Sequence, residues 1–545
     1  MPLPETSSPV ELQALLDGHA RFALLDVREK VASDAGHILG CTNVPRRLLE
    51  DRVAALVPLR STLVVVADHD GSVGPAAAAD LRALGYRDVR SLDGGYLGWT
   101  EAGLPVSQGH SVPSKDFGEL VQEFEQVPTV TAAELRSWLD EGREVELCDV
   151  RTPEEHARET LPGSRNFPGF ELPSRLAPDD QTTIVVHCSG RTRSIIGAAT
   201  LLRSGFRRVV ALENGTMGWK LAGYELDHGA ARDATIDIPP SADLGPRWRT
   251  LAASVGAVSL PPARVRRAVE EATARGDTAY VFDVRSEREY IDGHVPGAGW
   301  APSGQLVQLT DSYIAVHSAT VVVMCDDDVR ASIAAYWLRR LGKARVIVCA
   351  GGFPAWREAG YEWEAGRSEV VLGLDEASAS VPAVEAEQLA AELAGASPPN
   401  VIDVGISDDY ARGHVPGAAW VSPTRLETRL DVVAPDRARR LVVTCHSGHR
   451  ALLTAWKARR AGWEDVAHLV GGLAAWRDAG GEVEEGAPEG VEVDDVFVHP
   501  IFIGEEAMRS YLDWEERLGH KYAVDGAGER PDGIGQDTSE GEDGR

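Results

Sequence analysis

The stretch Val185-Val186-His187-Cys188-Ser189-Gly190-Arg191-Thr192-Arg193-Ser194 places a cysteine directly after an apolar run and an arginine five positions further on. The same Cys-x4-Arg pattern begins again at Cys325 and at Cys445, each time between a β-branched run and a helix-forming segment. Strands that alternate with helices in this way are typical of β-α units on a parallel sheet. We therefore expect an α/β fold in which each of these cysteines ends a strand.

A longer set of motifs surrounds the loops and occurs four times. Each copy has an apolar run that closes on Asp-Val and a Gly-x-x-x-Trp that ends the repeat. The closing residues are Trp99, Trp219, Trp356 and Trp476, which are 120, 137 and 120 residues apart. Solenoid units are only about 20–50 residues long, so this period indicates whole domains. The predicted fold class is α/β, with four tandem domains, each a parallel sheet flanked by helices, arranged as two pairs.

The repeats also predict the domain limits. We expect domains at residues 5–110, 125–229, 255–367 and 378–486. The wider central spacing, with Ile238-Pro239-Pro240-Ser241, predicts a linker over residues 230–254 between two halves of the chain. Residues 487–545 follow the last repeat. They contain one amphipathic helix candidate over 505–518 and an acidic, glycine-rich end that we expect to be disordered.

Composition limits the partners and the location of the protein. Lysine and arginine total 55 against 84 aspartates and glutamates, which gives a net charge of -29. Nucleic acids and anionic membranes both require a basic face, so we expect neither as a partner. The N-terminal residues lack the basic and apolar regions of a signal peptide, and no stretch approaches the length of a membrane span. We therefore expect a cytoplasmic protein.

The six cysteines separate into two groups. Cys41, Cys148 and Cys349 lie in or beside apolar segments and are interpreted as small buried side chains. The other three each follow a strand, where the loop of a parallel α/β unit directs backbone N–H groups at its centre. A helix N-terminus and a nearby arginine lower the pKa of a thiol from about 8.5 and favour the reactive thiolate. No Cys-x-x-Cys pair is present, so neither structural zinc nor another metal or cofactor is expected.

The motifs Asp-Val-Arg, Gly-His-[Ile/Val]-Pro-Gly-Ala, Cys-x4-Arg and Gly-Gly-x3-Trp, in this order, resemble the rhodanese domain of the thiosulfate sulfurtransferase family. The resemblance implies that a loop cysteine takes sulfane sulfur from a donor such as thiosulfate, becomes a persulfide, and passes the sulfur to cyanide or a thiol. A protein that accepts persulfide sulfur is a further candidate partner. By position, the persulfide-bearing residues would be Cys188, Cys445 and Cys325. The substrate-binding residues would be Arg191, Arg193, His446, His449, Arg450 and Arg330.

The four copies depart from the family pattern in different ways. The first has Asp68 in the cysteine position, so we expect it to be catalytically silent. The second has two loop arginines and is expected to be the most active. The fourth has Gly405 in place of the arginine of Asp-Val-Arg and is ranked second. The third follows its cysteine with Asp326, Asp327 and Asp328, whose charges should oppose both thiolate formation and an anionic donor.

Several recurring residues are better explained by structure than by chemistry. We expect Asp149 with Arg151, and Asp283 with Arg285, to form buried ion pairs. The turn histidines and the closing tryptophans are expected to have structural roles, the tryptophans as core residues. The turn histidines are His37, His294 and His414.

Two other functions remain open on the sequence. Fold relatives use a loop cysteine and an arginine on phosphate or arsenate, although in a loop that is one residue longer, Cys-x5-Arg. Alternatively, the protein is a non-catalytic persulfide carrier or scaffold, in which the first and third repeats are interaction modules.

Overall fold

The computed structural model describes residues 5–176, 181–229, 242–368 and 370–519. They form four separate sheets, each of five strands. Within every sheet all strand pairs are parallel and the strand order is 1-5-4-2-3. The central strands are buried on both faces by flanking helices, which explains why they are continuous runs of valine, isoleucine and leucine. The predicted α/β class with four parallel-sheet domains is therefore confirmed.

The strands are short, with two to five residues each. Those of the first domain are β1 (Thr6–Ser7), β2 (Phe22–Asp26), β3 (Thr42–Asn43), β4 (Leu63–Ala67) and β5 (Val89–Leu92). Those of the second are β6 (Thr129–Val130), β7 (Val145–Asp149), β8 (Arg165–Asn166), β9 (Thr183–His187) and β10 (Val209–Leu212). Those of the third are β11 (Val258–Leu260), β12 (Ala279–Asp283), β13 (Gly299–Trp300), β14 (Thr320–Met324) and β15 (Arg345–Cys349). Those of the fourth are β16 (Ala383–Val384), β17 (Asn400–Asp403), β18 (Ala419–Trp420), β19 (Leu441–Thr444) and β20 (Val466–Leu469).

Helices follow the strands in every domain. In and after the first domain they are α1 (Pro9–Asp17), α2 (Lys30–Ala35), α3 (Leu49–Leu56), α4 (Gly74–Ala83), α5 (Gly95–Glu101) and α6 (Val112–Glu125). In and after the second they are α7 (Ala132–Asp140), α8 (Pro153–Arg158), α9 (Leu172–Arg175), α10 (Thr192–Ser204), α11 (Gly215–Leu221) and α12 (Leu244–Ser254). In and after the third they are α13 (Pro262–Ala274), α14 (Glu287–Asp292), α15 (Ser303–Gln308), α16 (Thr310–Tyr313), α17 (Val329–Arg340), α18 (Gly352–Glu358) and α19 (Leu374–Ser380). In and after the fourth they are α20 (Ala386–Leu393), α21 (Ser407–Arg412), α22 (Leu426–Val433), α23 (His449–Arg460), α24 (Gly472–Asp478), α25 (Pro500–Ile503) and α26 (Glu505–Glu516). Single 3₁₀ turns lie at Arg46–Leu48, Gly169–Glu171 and Pro423–Arg425.

The four domains form two compact units, as the expected arrangement in pairs requires, but the partners are not neighbours in sequence. The first and fourth domains, with the short segment Ala315–His317, make up one unit. The second and third domains, with the C-terminal segment from His499, make up the other. The expectation that the central linker separates the two halves is therefore wrong, because that linker joins two domains of the same unit.

A buried ion-pair network joins the first and fourth domains. The guanidinium of Arg46 contacts Asp80 at 2.8 Å and Glu427 of the fourth domain at 2.6 Å. Lys457 of the fourth domain lies 2.8 Å from Glu50 of the first. Lys457 also lies 3.6 Å from Asp80, so the two cations share this carboxylate. Removal of Lys457 would take from the buried Glu50 the cation that pairs with it, at a cost of several kcal/mol.

The second and third domains meet at two glycines. A Cβ atom built on Gly169 would lie 2.6 Å from the backbone nitrogen of Gly304. The two backbones could not approach this closely with larger residues at these positions. Nearby, the indole Nε1 of Trp337 donates to Oγ1 of Thr200 at 2.9 Å across the same interface.

The structure describes only the second part of the predicted linker over 230–254. Residues 230–241 lie outside the described residues. The second half of the predicted linker, however, forms the helix α12 and packs on α17 of the third domain. Its Trp248 is completely buried and donates through Nε1 to Ser204 at 2.9 Å, which is why this segment is ordered. At the C-terminus the predicted helix is present as α26, while the expected disordered end lies beyond the described residues.

Among the described residues, no helix is both long enough and apolar enough to cross a membrane.

Candidate functional site

Each loop cysteine lies where the sequence analysis placed it, at the carboxyl end of the fourth strand of its domain and before a long helix. Cys188 follows β9, Cys325 follows β14 and Cys445 follows β19. All three are at most 3 % exposed and none is in a disulfide. The three thiols thus occupy equivalent positions, and differences between them arise from their surroundings.

The closing Gly-x-x-x-Trp motif packs against the backbone of the cysteine loop. Gly215, Gly352 and Gly472 have positive φ, and a Cβ on each would lie 1.6–2.2 Å from the carbonyl oxygen of the loop cysteine. Only glycine permits both this conformation and this approach. Four residues further on, the tryptophan of each copy is at most 7 % exposed and hydrogen-bonds a backbone carbonyl. The expected core role of the tryptophans is confirmed.

The fourth domain has an open loop with an anion-binding arrangement of backbone donors. The N–H of Gly448 donates to Sγ of Cys445 at 3.1 Å. Burial raises the pKa of the Cys445 thiol, and hydrogen bonds from the backbone of Ala451, Gly448 and Ser447 oppose that rise. His446 is exposed and His449 is 48 % exposed, its Nε2 lying 3.3 Å from Asp51 of the first domain. Backbone N–H groups of the loop therefore point at the buried sulfur, while His446 and His449 of the same loop are exposed to solvent.

The arginine of the Cys-x4-Arg loop forms an ion pair with a glutamate in the second and third domains. In the fourth domain it forms no such pair with any described residue. In the second domain both guanidinium nitrogens of Arg193 contact Glu155, at 2.7 and 2.8 Å. In the third, Arg330 forms the same fork with Glu289 at 2.8 Å for both contacts. These carboxylates neutralise much of the charge that an anionic substrate would need.

The fourth domain has an aspartate, one methylene shorter, at the position of those two glutamates. This Asp409 pairs with Arg412 at 2.5 Å. Within the described residues, Arg450 forms no ion pair, and its buried Nε has no hydrogen-bond partner. Arg450 is therefore the loop arginine best placed to receive an oxyanion.

The two arginines of the second loop do not form the open anion site that the sequence suggests. Arg191 contacts Glu119 twice at 2.8 Å and Glu516 at 2.9 Å. Arg193 is paired with Glu155, as described above, although its charge still interacts electrostatically with Cys188. Sγ of Cys188 lies 3.7 Å from Oγ of Ser194. Glutamates from other elements thus pair with both arginines, and their role in substrate binding stays a prediction.

The C-terminal segment covers this second loop, which the sequence analysis did not foresee. Ile501, Met508 and Leu512 pack with Met217 in one buried apolar cluster. From α26, Oε1 of Glu515 accepts from Oγ1 of Thr192 at 2.8 Å, inside the Cys188 loop. The only signal in the sequence was the amphipathic pattern of residues 505–518, which indicates a packed helix and does not identify its partner.

His499 shows how close this segment comes to the loop cations. Burial and the charges of Lys115 and Arg193 lower the pKa of His499 to about 4. The ring also lies against Tyr511, with 6.0 Å between the ring centroids. We name residues 499–518 the C-terminal cover. It packs on the Cys188 loop, whose thiol is buried to nearly the same extent as Cys445.

A cavity of about 150 Å³ lies beside Arg193, between the second and third domains. Val150, Phe170, Ile196 and Trp300 give it a largely apolar lining. Cys188 is not among its lining residues, so the cavity borders the loop arginine without exposing the thiol.

In the third domain burial, more than the three aspartates, suppresses the thiolate. Burial is the largest cause that raises the pKa of Cys325 to about 12, while Arg330 lowers it and Asp327 raises it further. Oδ1 of Asp327 lies 3.6 Å from the sulfur. Asp326 instead pairs with Arg285 at 3.0 Å.

The third aspartate also points away from the sulfur. Asp328 adopts a φ of +67° and accepts from Gly351 N at 2.7 Å and from Arg249 at 3.2 Å. The prediction that all three charges act on Cys325 is therefore wrong, since two of them are neutralised elsewhere.

The first domain fills its own loop with a carboxylate. Asp68 stands in the cysteine position and accepts from the backbone N–H of Gly71 at 2.9 Å, Val73 at 2.6 Å and Gly74 at 3.0 Å. The carboxylate thus occupies the place that the sulfur takes in the other copies. This domain has neither a thiol nor a vacant N–H ring at that position.

The expected buried ion pairs of the Asp-Val-Arg motif are confirmed. Arg151 contacts Asp149 at 2.8 Å and Arg285 contacts Asp283 at 2.6 Å, with all four side chains at most 5 % exposed. Burial opposes ionisation of Asp149, yet Arg151 and the other surrounding donors hold its pKa well below the usual range. These ion pairs stabilise the backbone next to the cysteine loop.

The turn histidines lie in equivalent backbone bridges. His37 pairs with Ser107, His294 with Glu364 and His414 with Glu484. This is the arrangement expected of a structural role.

Across the described residues, no cluster of three His, Cys, Asp or Glu side chains is suited to hold a metal ion.

The sheets, the loops and their order define an α/β protein built from a repeated cysteine-loop domain. Residues 8–102, 131–222, 265–359 and 385–479 each match the rhodanese-like domain. The chain therefore belongs to the rhodanese family and has four rhodanese-like domains.

The crystal structure of a thiosulfate sulfurtransferase from Pseudomonas aeruginosa is similar over the whole length. It has 35 % sequence identity and a TM-score of 0.84, over 96 % of this chain and 98 % of that chain. A putative thiosulfate sulfurtransferase, SseB, from Mycobacterium tuberculosis is 29 % identical over 181 residues, which are 26 % of this chain and 64 % of that protein. The thiosulfate sulfurtransferase GlpE of Pseudomonas fluorescens is 35 % identical over 104 residues, or 19 % of this chain and 92 % of that protein. The alignment thus spans less than two thirds of the Mycobacterium protein, and the relatives together support membership in a sulfurtransferase family.

Proposed function

We propose that this protein moves sulfane sulfur from thiosulfate, through a cysteine persulfide, to cyanide or a thiol acceptor. The observation that carries the proposal is the Cys445 loop, in which backbone N–H groups face the sulfur while Arg450 has no carboxylate partner among the described residues. Such a loop stabilises a thiolate or persulfide anion and leaves one cation for the donor. The similarity to proteins named thiosulfate sulfurtransferase supports thiosulfate as the donor.

Each step balances without an added oxidant. The Cys445 thiolate attacks the outer sulfur of thiosulfate, the S–S bond of thiosulfate breaks, and sulfite leaves with the electron pair. Cyanide or a thiolate then attacks the outer sulfur of the persulfide, which releases thiocyanate or a new persulfide and regenerates the Cys445 thiolate. The N–H groups of the loop stabilise the anionic sulfur in both steps.

We rank Cys445 before Cys188 as the main carrier, the reverse of the order expected from the sequence. Cys188 remains a candidate nucleophile, but both of its loop arginines are paired and the C-terminal cover lies over it. Cys325 is third because burial raises its pKa to about 12. The first domain has Asp68 in place of the loop thiol and fits an assembly role within the same protein.

Intact mass after treatment with thiosulfate tests the proposal. We expect the wild-type protein to gain sulfur. The variant Cys445→Ser should lose most of that mass gain and most of the thiocyanate production. The variant Cys188→Ser should lose a smaller part of both. Phosphate release from a generic phosphoester, measured beside it, should be absent. If no variant and no wild-type sample gains sulfur, the proposal is wrong. If Cys445→Ser keeps more than half of the turnover, the assignment to the fourth domain is wrong.

A further inference from the structure

The fourth domain lacks a cation that its three sister domains share. In those domains an arginine follows the buried aspartate of Asp-Val-Arg by two residues and forms an ion pair with it. In the fourth domain the corresponding residue is Gly405, yet the aspartate, Asp403, is retained and is only 3 % exposed. A buried carboxylate without its cation is costly, so this combination requires an explanation.

Asp403 has few donors around it. The backbone N–H of Gly405 donates to Oδ1 at 2.8 Å, and no other described residue forms a hydrogen bond with the carboxylate. By contrast, Asp149 accepts from Arg151, His156 and Thr160. Burial raises the pKa of Asp403 to about 7, the Gly405 N–H opposes the rise, and the charge of Asp409 adds to it.

A second acceptor is left without a donor at the same place. In the sister domains Nη2 of the arginine also donates to the carbonyl that precedes the turn histidine, as Arg28 does to Gly36 at 2.7 Å and Arg285 to Gly293 at 2.5 Å. The carbonyl of Gly413 is the counterpart in the fourth domain. It receives no hydrogen bond from the residues that the structure describes.

The vacated space lies beside the reactive loop. A Cβ on Gly405 would be 3.0 Å from Oδ1 of Asp403, 3.9 Å from Cβ of Asp409 and 4.0 Å from the backbone nitrogen of His446, the residue after Cys445. In the third domain the arginine in this space reaches the residue after the cysteine, since Arg285 contacts Asp326 at 3.0 Å. We call the space bounded by Asp403, Gly405, Asp409 and the Gly413 carbonyl the Gly405 slot.

No side chain of the same domain supplies the missing charge. Arg477 is exposed, and a Cβ on Gly413 would meet its Nη2 at 2.5 Å. It forms no ion pair with Asp403 and has no part in the altered pKa of that group. Two acceptors, one of them a buried carboxylate, therefore lie at the position that the arginine side chain takes in the sister domains, close to the backbone of the residue after Cys445.

We infer that the Gly405 slot binds a positively charged nitrogen group of the sulfur acceptor, so that the fourth domain prefers a small thiol carrying an ammonium or guanidinium group. The inference rests on the proposed function. In the transfer step the acceptor thiolate attacks the outer sulfur of the Cys445 persulfide, the S–S bond to Sγ breaks, and the acceptor leaves as its own persulfide. The cation in the slot pairs with Asp403 and positions the attacking sulfur.

The test uses the full-length protein with Cys188→Ser and Cys325→Ser, so that Cys445 is the one loop thiol left. At pH 8, formation of the mixed disulfide at Cys445 is followed by peptide mass with two probes, cystamine and the neutral bis(2-hydroxyethyl) disulfide. Their rate ratio is then compared with the ratio in Gly405→Arg, which fills the slot, and in Asp403→Asn, which keeps its shape. Comparing ratios removes the intrinsic reactivity of each probe.

We expect the cystamine preference to fall roughly tenfold in both variants, as for loss of one well-placed charge pair. The same change should appear when cysteamine and 2-mercaptoethanol compete as sulfur acceptors. Ratios that agree within twofold in all three proteins would overturn the inference. Mixed-disulfide formation needs no persulfide, so a protein that shows the preference but gains no sulfur from thiosulfate would refute the proposed function and leave the slot in place.

Discussion

Oγ1 of Thr192 donates to Oε1 of Glu515 at 2.8 Å, and this contact ties the loop of Cys188 to the last described helix of the chain. Both groups are buried, so the hydrogen bond to a charged acceptor contributes on the order of 1.5–3 kcal/mol. The apolar cluster of Met217 with α25 and α26 adds to it. The accessibility of the second thiol therefore depends on residues more than three hundred positions away.

Removal of the C-terminal cover should expose Cys188. A protein that ends at Val498 is expected to react with iodoacetamide at Cys188 at least tenfold faster, because Thr192 and Met217 lose the groups that cover them. Peptide mass measures the rate at each cysteine. Cys445, in the other compact unit, serves as the internal control and should not change. An unchanged Cys188 rate would mean that the cover does not limit access.

Restoring the missing glutamate should weaken donor binding in the fourth domain. In Asp409→Glu the longer side chain can reach Arg450 as Glu155 reaches Arg193. We expect the KM for thiosulfate at Cys445 to rise about tenfold, since a charge-assisted pair is worth about 1.5 kcal/mol or more. The matched control is Glu155→Asp, which should free Arg193 and lower the KM at Cys188. If both variants behave like wild type, the pairing of the loop arginine does not control the donor.

The third thiol should respond to one aspartate and not to its neighbours. Asp327→Asn removes the charge 3.6 Å from Sγ of Cys325 and should lower the pKa of this thiol from about 12 without bringing it to neutrality, because burial remains the larger cause. Asp328→Asn should leave it unchanged. The pH dependence of alkylation reports both. An equal shift in the two variants would restore the explanation based on all three charges.

Asp403 should make the fourth domain less stable as the pH rises. Its pKa is raised from 3.8 to about 7 in the folded protein. Proton binding therefore favours the folded state, and stability is lost between about pH 4 and pH 7. The full penalty, on the order of 4 kcal/mol, is present above pH 7. Asp403→Asn should remove it and stabilise the domain at pH 8 more than at pH 5.

Thermal unfolding at the two pH values measures this difference. The matched control is Asp283→Asn in the third domain, which removes a carboxylate that is paired with Arg285 at 2.6 Å. It should destabilise the protein at both pH values. Equal effects of Asp403→Asn at pH 5 and pH 8 would show that the protonation state of Asp403 does not change between these pH values, which contradicts a pKa of about 7.

Much of the fold could be predicted from local pattern. The strand before Cys188 is a β-branched run, and the glycines of the closing motif adopt the positive φ that only glycine tolerates. These features depend on residues close together in the chain, so four parallel-sheet domains, the three loop thiols and the thiol-free first loop with Asp68 all follow from the sequence.

The charge state of each loop could not be predicted in the same way. Arg191 is neutralised by Glu119 and by Glu516, which is 325 positions away. The sequence predicts that the charges of Asp326 and Asp328 raise the pKa of Cys325. In the folded protein these carboxylates instead form ion pairs with Arg285 and Arg249. Ion pairs form wherever packing brings opposite charges together, and no local periodicity records such partners.

The sequence by itself determined the number of domains, their class and the strand end at which each thiol lies, because strand, turn and helix signals act over a few residues. Only the tertiary structure decided that the first domain pairs with the fourth, that the C-terminal cover packs on the Cys188 loop, and that Arg450 is the unpaired loop arginine within the described residues. These outcomes depend on which surfaces bury apolar area and which charges then meet across them, and both are set by contacts between distant parts of the chain.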